Sequence, residues 1–457
     1  MTASASRAVS ALLVLLLCLV PALPVLANDN QARPGARLAI HGSNTIGEEL
    51  APALLAGLAA SAGLDYQALE TRAVGEQHGR IAALAIQLHT HGSGTGFQAL
   101  LTGRADLAMS SRPVSASELA LAEQAGLGRL DSPAQEFIIA LDGVAVIVHP
   151  DNPLASTDLA TLRDVFSGRI GNWRDLGGAP APIRVLARDD NSGTYDTFAS
   201  LVLQQARLAA GTERFESTQA LAQAVADDRH AIGFVGQGGI GRARALSIRD
   251  GSSRSLPPQP MLVALEDYLL SRRLYLYLPA GAAPMAQVLA DFAISDTGQA
   301  IVEDTGFVAQ TMTPLAVASP HPAPAEYQRL TAGAQRLPLN FRFDAGASVF
   351  DNKAMRDLDR LLRFMRSEGG NGRNLRLFGF SDSSEVMPFM SVSLAHERVE
   401  YVATMLARHG VHIQHGRGLG AQLPVASDAS AWGRQRNRRV EVWITDPAST
   451  DTRDAAP

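Results

Sequence analysis

Short apolar runs alternate with amphipathic segments from residue 37 to residue 311, and this alternation restricts the folds that the chain can adopt. Apolar runs of strand length predict the following strands: residues 37–41, 144–149, 183–187, 232–235 and 274–278. Helical periodicity predicts the following helices: residues 46–60, 97–103, 159–166, 195–203 and 286–295. Because strands and helices follow one another in turn, we expect an α/β architecture with mostly parallel sheets.

A Pro/Ala-rich stretch from Thr313 to Pro324 ends this pattern. It can hold neither a helix nor a central strand, so it predicts a semi-rigid spacer. The predicted elements beyond it, in βαβαββ order, are residues 337–343, 351–366, 375–380, 394–408, 411–418 and 439–444. They suffice for one compact α+β domain. The expected division is a leader at 1–27, a first domain at 28–312, a spacer at 313–334, a second domain at 335–446 and a disordered tail at 447–457.

The N-terminus has the layout of a cleaved secretory signal. Arg7 precedes an apolar run at 11–20, and a small-residue end at Ala27 predicts the cleavage site. A membrane anchor is the first alternative, but the run is short for a span. A lipoprotein is the second alternative because Cys18 is present, although Leu17 stands where lipidation requires a small residue. Cys18 is the only cysteine, so the secreted chain is expected to have no disulfide, thiol nucleophile or cysteine metal site.

Composition excludes one class of partner. The chain has 457 residues, of which 46% are hydrophobic and 19% charged, as in ordinary globular proteins. Its formal net charge of -5 argues against a general nucleic-acid binder, which needs a strongly basic face. It does not argue against small anions, because local donors decide their binding.

Three short segments have the same local chemistry. We name them the first turn (residues 42–46, Gly-Ser-Asn-Thr-Ile), the second turn (92–96, Gly-Ser-Gly-Thr-Gly) and the third turn (191–194, Asn-Ser-Gly-Thr). Glycine lets the backbone approach a ligand, Ser and Thr donate hydroxyls, and free N–H groups at a helix start favour an anion. Each turn alone is as well explained by a simple helix cap. Converging with Arg188, which stands at a strand end, the three would surround a tetrahedral oxyanion with donors and one positive charge.

This region also resembles a known family. Residues 142–153, 166–173 and 188–194, and more loosely 231–236, resemble the periplasmic phosphate-binding proteins of ABC transporters, the PstS family, and the similarity extends over nearly all of 37–311. The resemblance implies a two-lobed periplasmic-binding-protein clamshell (type II) that closes around phosphate at a hinge. It assigns the phosphate contacts to Thr45, the Ile46 N–H, Ser93, Arg188, Ser192, Gly193 and Thr194.

One departure from the family pattern concerns selectivity. Phosphate-specific members often have an aspartate that accepts a hydrogen bond from a protonated phosphate oxygen, and Ser111 stands in its place here. Arg112 beside it is expected to add positive charge. Because many sequences of the wider family have this Ser-Arg form, phosphate remains the expected ligand, while sulfate and similar oxyanions stay open.

Other chemistry in this region has weaker support. His78, His89 and His91 suggest a metal site, but no carboxylate or cysteine stands at a suitable spacing, so neither a metal nor a cofactor is expected. His89 and His91 are instead interpreted as polar loop residues beside the second turn. Ser93 is not in a nucleophile elbow, because His91 occupies the position of the first glycine. A phosphatase-like enzyme is therefore disfavoured.

Two features of the second domain indicate binding. Asp382 follows a predicted strand and Arg398 lies in the next predicted helix, so the two can grip the ammonium and the carboxylate of a zwitterion. Spacing alone favours the alternative, an ordinary structural ion pair. The basic run at 433–441 is, by itself, as well explained by a solvated charge run.

Together these features resemble the OmpA-like domain that binds peptidoglycan without a covalent bond. The residues that carry the resemblance are 381–382, 394–402, Gly418, Gly420, Pro424 and 437–441. By this resemblance, Asp382 and Arg398 hold the diaminopimelate of the stem peptide. The departures are Ala395, Val399, Asp428 and an apolar loop with Phe389 and Met390.

The sequence therefore predicts a non-enzymatic, periplasmic protein that binds phosphate or a similar oxyanion and is tethered to peptidoglycan, at the inner face of the outer membrane in one version of this hypothesis. Two roles remain open. In the first the protein delivers phosphate to an ABC permease. In the second it is a sensor or scaffold whose liganded form is recognised by a partner.

Overall fold

The structure is a computed structural model that describes residues 37–69, 75–190, 192–317, 320, 322–345 and 350–447. The predicted signal with Cys18, Asn191 of the third turn and the predicted tail beyond 447 lie outside these residues. Within the described ranges, no helix combines the length and the apolar character that a membrane span requires.

The strands of the described residues, in chain order, are β1 (Arg37–Gly42), β2 (Tyr66–Leu69), β3 (Glu76–Ile81), β4 (Leu84–Thr90), β5 (Leu107–Ser110), β6 (Glu136–Val148), β7 (Ser156–Asp158), β8 (Arg184–Arg188), β9 (Glu213–Phe215), β10 (Ala231–Gly236), β11 (Arg244–Ala245), β12 (Ser247–Arg249), β13 (Ser271–Tyr277), β14 (Leu315–Ala316), β15 (Gln335–Arg342), β16 (Asn374–Gly379), β17 (Ile413–Gly418) and β18 (Arg439–Thr445).

The α-helices of the same residues are α1 (Ala51–Ser61), α2 (Ser93–Leu101), α3 (Ala116–Gln124), α4 (Leu159–Phe166), α5 (Gly193–Phe198), α6 (Thr218–Asp227), α7 (Pro260–Ala264), α8 (Pro284–Ala293), α9 (Asp296–Asp304), α10 (Ala325–Thr331), α11 (Asn352–Arg366), α12 (Ser391–Ala407) and α13 (Ala431–Asn437). A π-helical turn, Ile46–Leu50, leads into α1, and a second, Ala199–Leu203, follows α5.

The chain divides into two compact units. The first contains the described residues up to Asp142 together with Arg188–Thr197 and Arg272–Ala309. Its strands lie in the order β2-β3-β4-β1-β5-β13, followed by the first part of β6. β1 is parallel to β4 and β5, whereas β13 is antiparallel to β5 and β2, β3 and β4 form an antiparallel meander. The sheet is therefore mixed rather than mostly parallel, because β2, β3 and β4 follow one another without the helical crossover that parallel neighbours need.

Both faces of this sheet are covered. Leu107 and Met109 of β5 face a core formed with α1, α8 and α9, while Ala108 between them faces Phe97 of α2 and Tyr277 of β13. This is the two-residue alternation of a strand that is buried on both sides. The turns that follow β1 and β4 are thereby held at the edge of a packed layer.

The second unit contains Gly143–Ala187, Phe198–Ser271 and the chain from Gln310 onward. Its first sheet has the order β6-β10-β8-β9, with β10 antiparallel to β6 and parallel to β8. Ile147 and Leu186 of this sheet pack against Leu221 and Val225 of α6. The same unit also contains a separate five-stranded sheet of order β14-β15-β18-β16-β17.

This C-terminal sheet has the predicted βαβαββ elements. Leu337 and Val442 of the sheet pack against Leu361 of α11 and Val402 of α12. Strand β16 is parallel to β17 and antiparallel to β18. Three elements of the described residues were not expected: the edge strand β14, the helix α10, and the helix α13, which replaces a predicted basic turn before the last strand.

The structure differs from the predicted spacer at 313–334. Helix α10 begins directly after Pro324 and buries Tyr327 and Leu330 against Phe378 and Trp443. The Tyr327 hydroxyl also donates to Glu441 Oε2 at 2.8 Å. Proline excludes a helix only as far as Pro324, so the second half of the predicted spacer is part of the C-terminal fold.

Buried side chains fasten the C-terminal sheet to residues 265–271 of the same unit. Asn340 Nδ2 donates to the Leu265 carbonyl at 2.9 Å and to Asp267 Oδ1 at 3.0 Å. Arg342 Nη2 donates to the same two oxygens at 2.6 and 3.0 Å. Both donors and Asp267 are at most 3% exposed. Because such groups are costly to bury without each other, this contact is specific.

Arg436 of α13 extends the contact. Its guanidinium donates to the carbonyl of Tyr268 at 3.1 Å and to that of Ser271 at 3.0 Å, and it also contacts the carbonyl of Glu266. The C-terminal sheet is therefore packed against this part of the chain and is not separated from it by a spacer.

Candidate functional site

The first and second turns lie side by side. Gly42 has φ +135°, and a Cβ there would lie 2.0 Å from the Met109 carbonyl oxygen, so only glycine fits. The N–H of Gly92 donates to the carbonyl of Gly42 at 2.9 Å. A Cβ at Gly96 would lie 2.8 Å from the carbonyl oxygen of His41. The glycines of both turns thus allow the close approach that an oxyanion site requires.

Ser93 and Ser111, both predicted site residues, lie in contact with each other. Their hydroxyl oxygens are 3.2 Å apart and share a hydrogen bond, and the N–H of Ser111 donates to Ser93 Oγ at 3.0 Å. Ser93 begins α2 and Ser111 directly follows β5. The residue in place of the family's aspartate therefore lies at the second turn.

The third turn lies directly on the first. A Cβ at Gly193 would be 1.8 Å from Thr45 Oγ1 and 2.5 Å from Thr45 Cα. Ser192, Gly193 and Ile46 are buried, and Thr194 is half-buried. The described residues of the third turn and the predicted residues of the first turn thus form one contiguous cluster in the first unit.

Arg188 ends β8 and is 9% exposed. Its charge acts on Glu48, which lies in the π-helical turn Ile46–Leu50. The pKa of Glu48 is raised to about 7 because burial raises it, and the charge of Arg188 opposes this rise only in part. The site therefore contains a cation with a weakly acidic carboxyl group near it.

Arg272 is a residue of this cluster that the sequence did not indicate. Its Nη2 donates to Thr45 Oγ1 at 2.5 Å and to the carbonyl of Gly193 at 2.7 Å. Its Nε donates to Asp142 Oδ2 at 3.1 Å. Burial lowers the pKa of Arg272, while Asp142 and Asp196 oppose that shift. Arg272 therefore fastens the first turn to the third.

Arg112 differs from its expected role. Its two terminal nitrogens donate to the two carboxylate oxygens of Glu118 at 2.8 and 2.7 Å. Glu118 in turn belongs to the capping box of α3 with Ser115. The charge of Arg112 is therefore balanced by a carboxylate of its own chain, and it adds little net positive charge to the cluster.

Ser43 is an additional donor at the first turn. It is 2% exposed, and its hydroxyl oxygen has no hydrogen-bond partner among the described residues. A buried hydroxyl without a partner costs free energy, roughly 1–3 kcal/mol. This residue fits a site whose remaining acceptor is a ligand.

The second predicted pair, Asp382 and Arg398, is fully buried and each member has a partner within the chain. Asp382 accepts hydrogen bonds from Arg438 Nη1 at 3.0 Å and from the N–H and hydroxyl of Ser384 at 2.8 and 2.7 Å. Arg398 donates from both terminal nitrogens to the carboxylate of Glu385, at 2.9 and 2.5 Å. The two predicted residues therefore meet through Glu385, which also accepts from the Asp382 N–H at 3.3 Å.

Most of the basic run at 433–441 is buried: Arg436, Arg438 and Arg439 are buried, whereas Arg434 is half-buried and Gln435 is exposed. Arg439 is 0% exposed, lies over the ring of Phe380 at 3.9 Å and donates twice to Glu441 Oε1, at 3.1 and 2.9 Å. Although burial raises the pKa of Glu441, the charges of Arg336 and Arg439 lower it to about 2. Arg336 and Arg439 thus form buried ion pairs with Glu441 within the C-terminal sheet.

Comparison with known proteins identifies the family of the first domain. A family model described as a PBP superfamily domain matches residues 57–297. The phosphate-binding protein PstS of Staphylococcus epidermidis is 29% identical over 228 residues, which cover 48% of this chain and 68% of that protein. Protein SphX of Synechococcus elongatus is 28% identical over 277 residues, covering 58% of this chain and 75% of that protein.

Among solved structures, an ABC-type phosphate transport receptor from Vibrio cholerae has 22% identity and a TM-score of 0.47, and the match covers 59% of this chain and 99% of that one. The expectation of a binding protein and not an enzyme is confirmed by these matches. Since the family model spans more than half of the chain, this protein belongs to the PBP superfamily.

Proposed function

We propose that this protein binds phosphate at the cluster formed by its three turns. The observation that carries the proposal is their convergence: Gly193 of the third turn lies on Thr45 of the first, and Gly92 of the second turn donates to Gly42. Relatives named as phosphate-binding proteins support it. The proposed contact residues are Thr45, Ile46, Ser93, Ser111, Arg188, Ser192, Gly193 and Thr194.

The donors of this cluster suit a tetrahedral oxyanion. Hydroxyls of Thr45, Ser93 and Thr194 and backbone N–H groups at the starts of α2 and α5 supply neutral donors. Arg188 supplies the positive charge. Its guanidinium can also donate two hydrogen bonds to two oxygens of the anion at once. Ser111, already bonded to Ser93, offers a hydroxyl that both donates and accepts. Such a hydroxyl tolerates a protonated phosphate oxygen, and it does not exclude sulfate as a carboxylate does.

Calorimetric titration of the ligand-stripped protein with phosphate, and then with sulfate, tests this proposal. We expect saturable phosphate binding that falls about 10- to 150-fold in Arg188→Ala, because a charge-assisted hydrogen bond contributes roughly 1.5–3 kcal/mol. Arg188→Lys, which keeps the charge and loses the fork, should fall between the two. Arg169→Ala, which removes an exposed arginine paired with Asp164, is the control. Equal phosphate affinity in all four proteins would contradict the proposed site.

We further propose that the C-terminal domain binds peptidoglycan through Asp382 and Arg398. Their burial and their meeting at Glu385 support a site that recognises paired charges. The Glu385 carboxylate holds Arg398 with two bonds, the geometry that a diaminopimelate carboxylate would use. Binding then requires the stem peptide to displace Glu385, and the apolar, exposed Met387 and Phe389 lie in the same loop.

Glu385→Ala is expected to bind isolated peptidoglycan at least about tenfold more tightly than the natural chain, because roughly 1.4 kcal/mol or more of internal competition is removed. It should also unfold more easily, since Arg398 loses a buried partner. Co-sedimentation with purified sacculi measures the first effect. Glu397→Ala, at an exposed position of α12 beside Arg398, is the control. Asp382→Ala should abolish binding. If Glu385→Ala sediments no better than the natural chain, the group acts as part of a structural network only.

Secretion to the periplasm and a permease or sensor partner complete the proposal. The contact of the C-terminal sheet with residues 265–271 favours one body held at the wall over a binding domain on a long tether. A pull-down from membranes with and without phosphate separates the two roles. Capture of a permease supports delivery, and phosphate-dependent capture of another partner supports a sensor.

A further inference from the structure

Glu76, His89 and His91 come together on one antiparallel hairpin of the first unit. Glu76 of β3 is paired with His89 of β4, and Glu76 Oε1 lies 3.8 Å from His89 Nδ1. The backbone at Gly75 lies against the His91 ring, since a Cβ there would be 2.7 Å from His91 Nδ1. One ligand atom from each of the three residues lies within 4.8 Å of the others.

We propose that these three side chains bind a divalent transition metal, with Zn²⁺ as the preferred ion. Two imidazoles and one carboxylate form a common zinc set with a fourth position open to water. Zinc holds such atoms at about 2.0–2.2 Å, which places them roughly 3.3–3.6 Å apart. His89 Nδ1 and Glu76 Oε1, 3.8 Å apart, are already near that spacing, and the exposed His91 has a ligand atom within 4.8 Å of one from each of the two.

His89 is held in place by its neighbours. His41 stacks on it with ring centroids 4.1 Å apart, and the His89 side chain is 22% exposed. A ring whose orientation is fixed in this way favours metal ligation. The charge of Arg104 acts on His89 and opposes a cation, and the Glu76 carboxylate offsets it.

The sequence argued against a metal here because no carboxylate or cysteine stood at a suitable spacing from the histidines. Glu76 is 13 positions before His89, and only the pairing of β3 with β4 brings them together. His91 directly precedes the second turn, so an ion bound to His91 would restrain the backbone that leads into this turn. The metal proposal does not depend on phosphate binding.

Equilibrium dialysis of the purified protein against ZnCl₂ tests the site, with MgCl₂ as the hard-ion comparison. We expect one Zn²⁺ per chain and no Mg²⁺. His91→Ala and Glu76→Gln should each weaken zinc binding about tenfold or more, since even indirect partners of a metal contribute that much. His396→Ala, at an exposed histidine near Glu400, is the control and should bind like the natural chain.

A second measurement covers the case in which a variant is poorly folded. Zinc should raise the unfolding temperature of the natural protein and of His396→Ala, because the ion binds the folded state, but not that of His91→Ala. The proposal is overturned if the natural chain retains no zinc. It is also overturned if His91→Ala and Glu76→Gln, both folded by circular dichroism, bind zinc as tightly as the natural chain.

Discussion

Replacing Gly193 with alanine is expected to reduce phosphate affinity by about 5- to 150-fold, since overpacking costs roughly 1–3 kcal/mol. The added Cβ would lie 1.8 Å from Thr45 Oγ1 and 2.5 Å from the Thr45 backbone N. The backbone of the first turn cannot yield as a flexible side chain does. The first and third turns must therefore move apart, and Arg272, which bonds both, loses its geometry. Calorimetric titration with phosphate measures the effect.

Gly171→Ala, outside the three turns, is the matched control. No heavy atom of the described residues lies within 4 Å of the position that a Cβ would take at this exposed glycine, so the alanine fits without a clash. Its phosphate affinity should stay close to that of the natural chain. If Gly193→Ala binds phosphate as well as Gly171→Ala does, the contact between the first and third turns is not part of the binding site.

Arg342→Met is expected to destabilise the packing of the C-terminal sheet by about 3–5 kcal/mol, the usual cost of removing one member of a buried ion pair. Arg342 and its partner Asp267 are 4% and 5% exposed at their side chains. Methionine fills the space but leaves the Asp267 charge without its arginine. Hydrogen exchange of the amides at 265–271 and in β15 should become faster in the variant.

Arg417→Met gives the comparison within the same sheet. Arg417 pairs with Glu326 at 3.1 Å, but the two side chains are 55% and 39% exposed, so the pair contributes no more than about 1 kcal/mol. Exchange at 265–271 should be unchanged. If Arg342→Met and Arg417→Met show the same exchange rates, the contact between the sheet and residues 265–271 does not stabilise the packing. The C-terminal domain would then be better described as joined to the binding domain by a long tether.

Local patterns predicted the elements well where the sequence itself carries the stop signals. Helix α4 has the predicted bounds because Asp158 caps its start, accepting from the Thr161 N–H, and Gly168 follows its end. The strand predicted at 144–149 is in fact part of β6, which begins at Glu136. Asp142 interrupted the apolar pattern, and its burial beside Arg272 could not be foreseen.

The chemistry of the turns followed from sequence because it is local. Within each turn, the glycines that permit close approach, the hydroxyl donors and the helix start lie within five residues of one another. The structure brings the described residues of the three turns together at Thr45, Gly92 and Gly193. Arg272 was not predictable, since it bonds Thr45 from 227 positions away. No pattern of spacing distinguishes it from Arg273 beside it.

The sequence by itself determined the α/β class of the first region and the separate C-terminal sheet, and it supplied the residues that we propose as the oxyanion site. Only the tertiary structure decided the partners of the buried charges: Glu385 for Arg398 and Asp267 for Arg342. The physical reason is that periodicity and turn chemistry depend on neighbours along the chain. A buried charge takes whichever opposite group the folded chain places within about 4 Å, where a low dielectric makes the attraction strong.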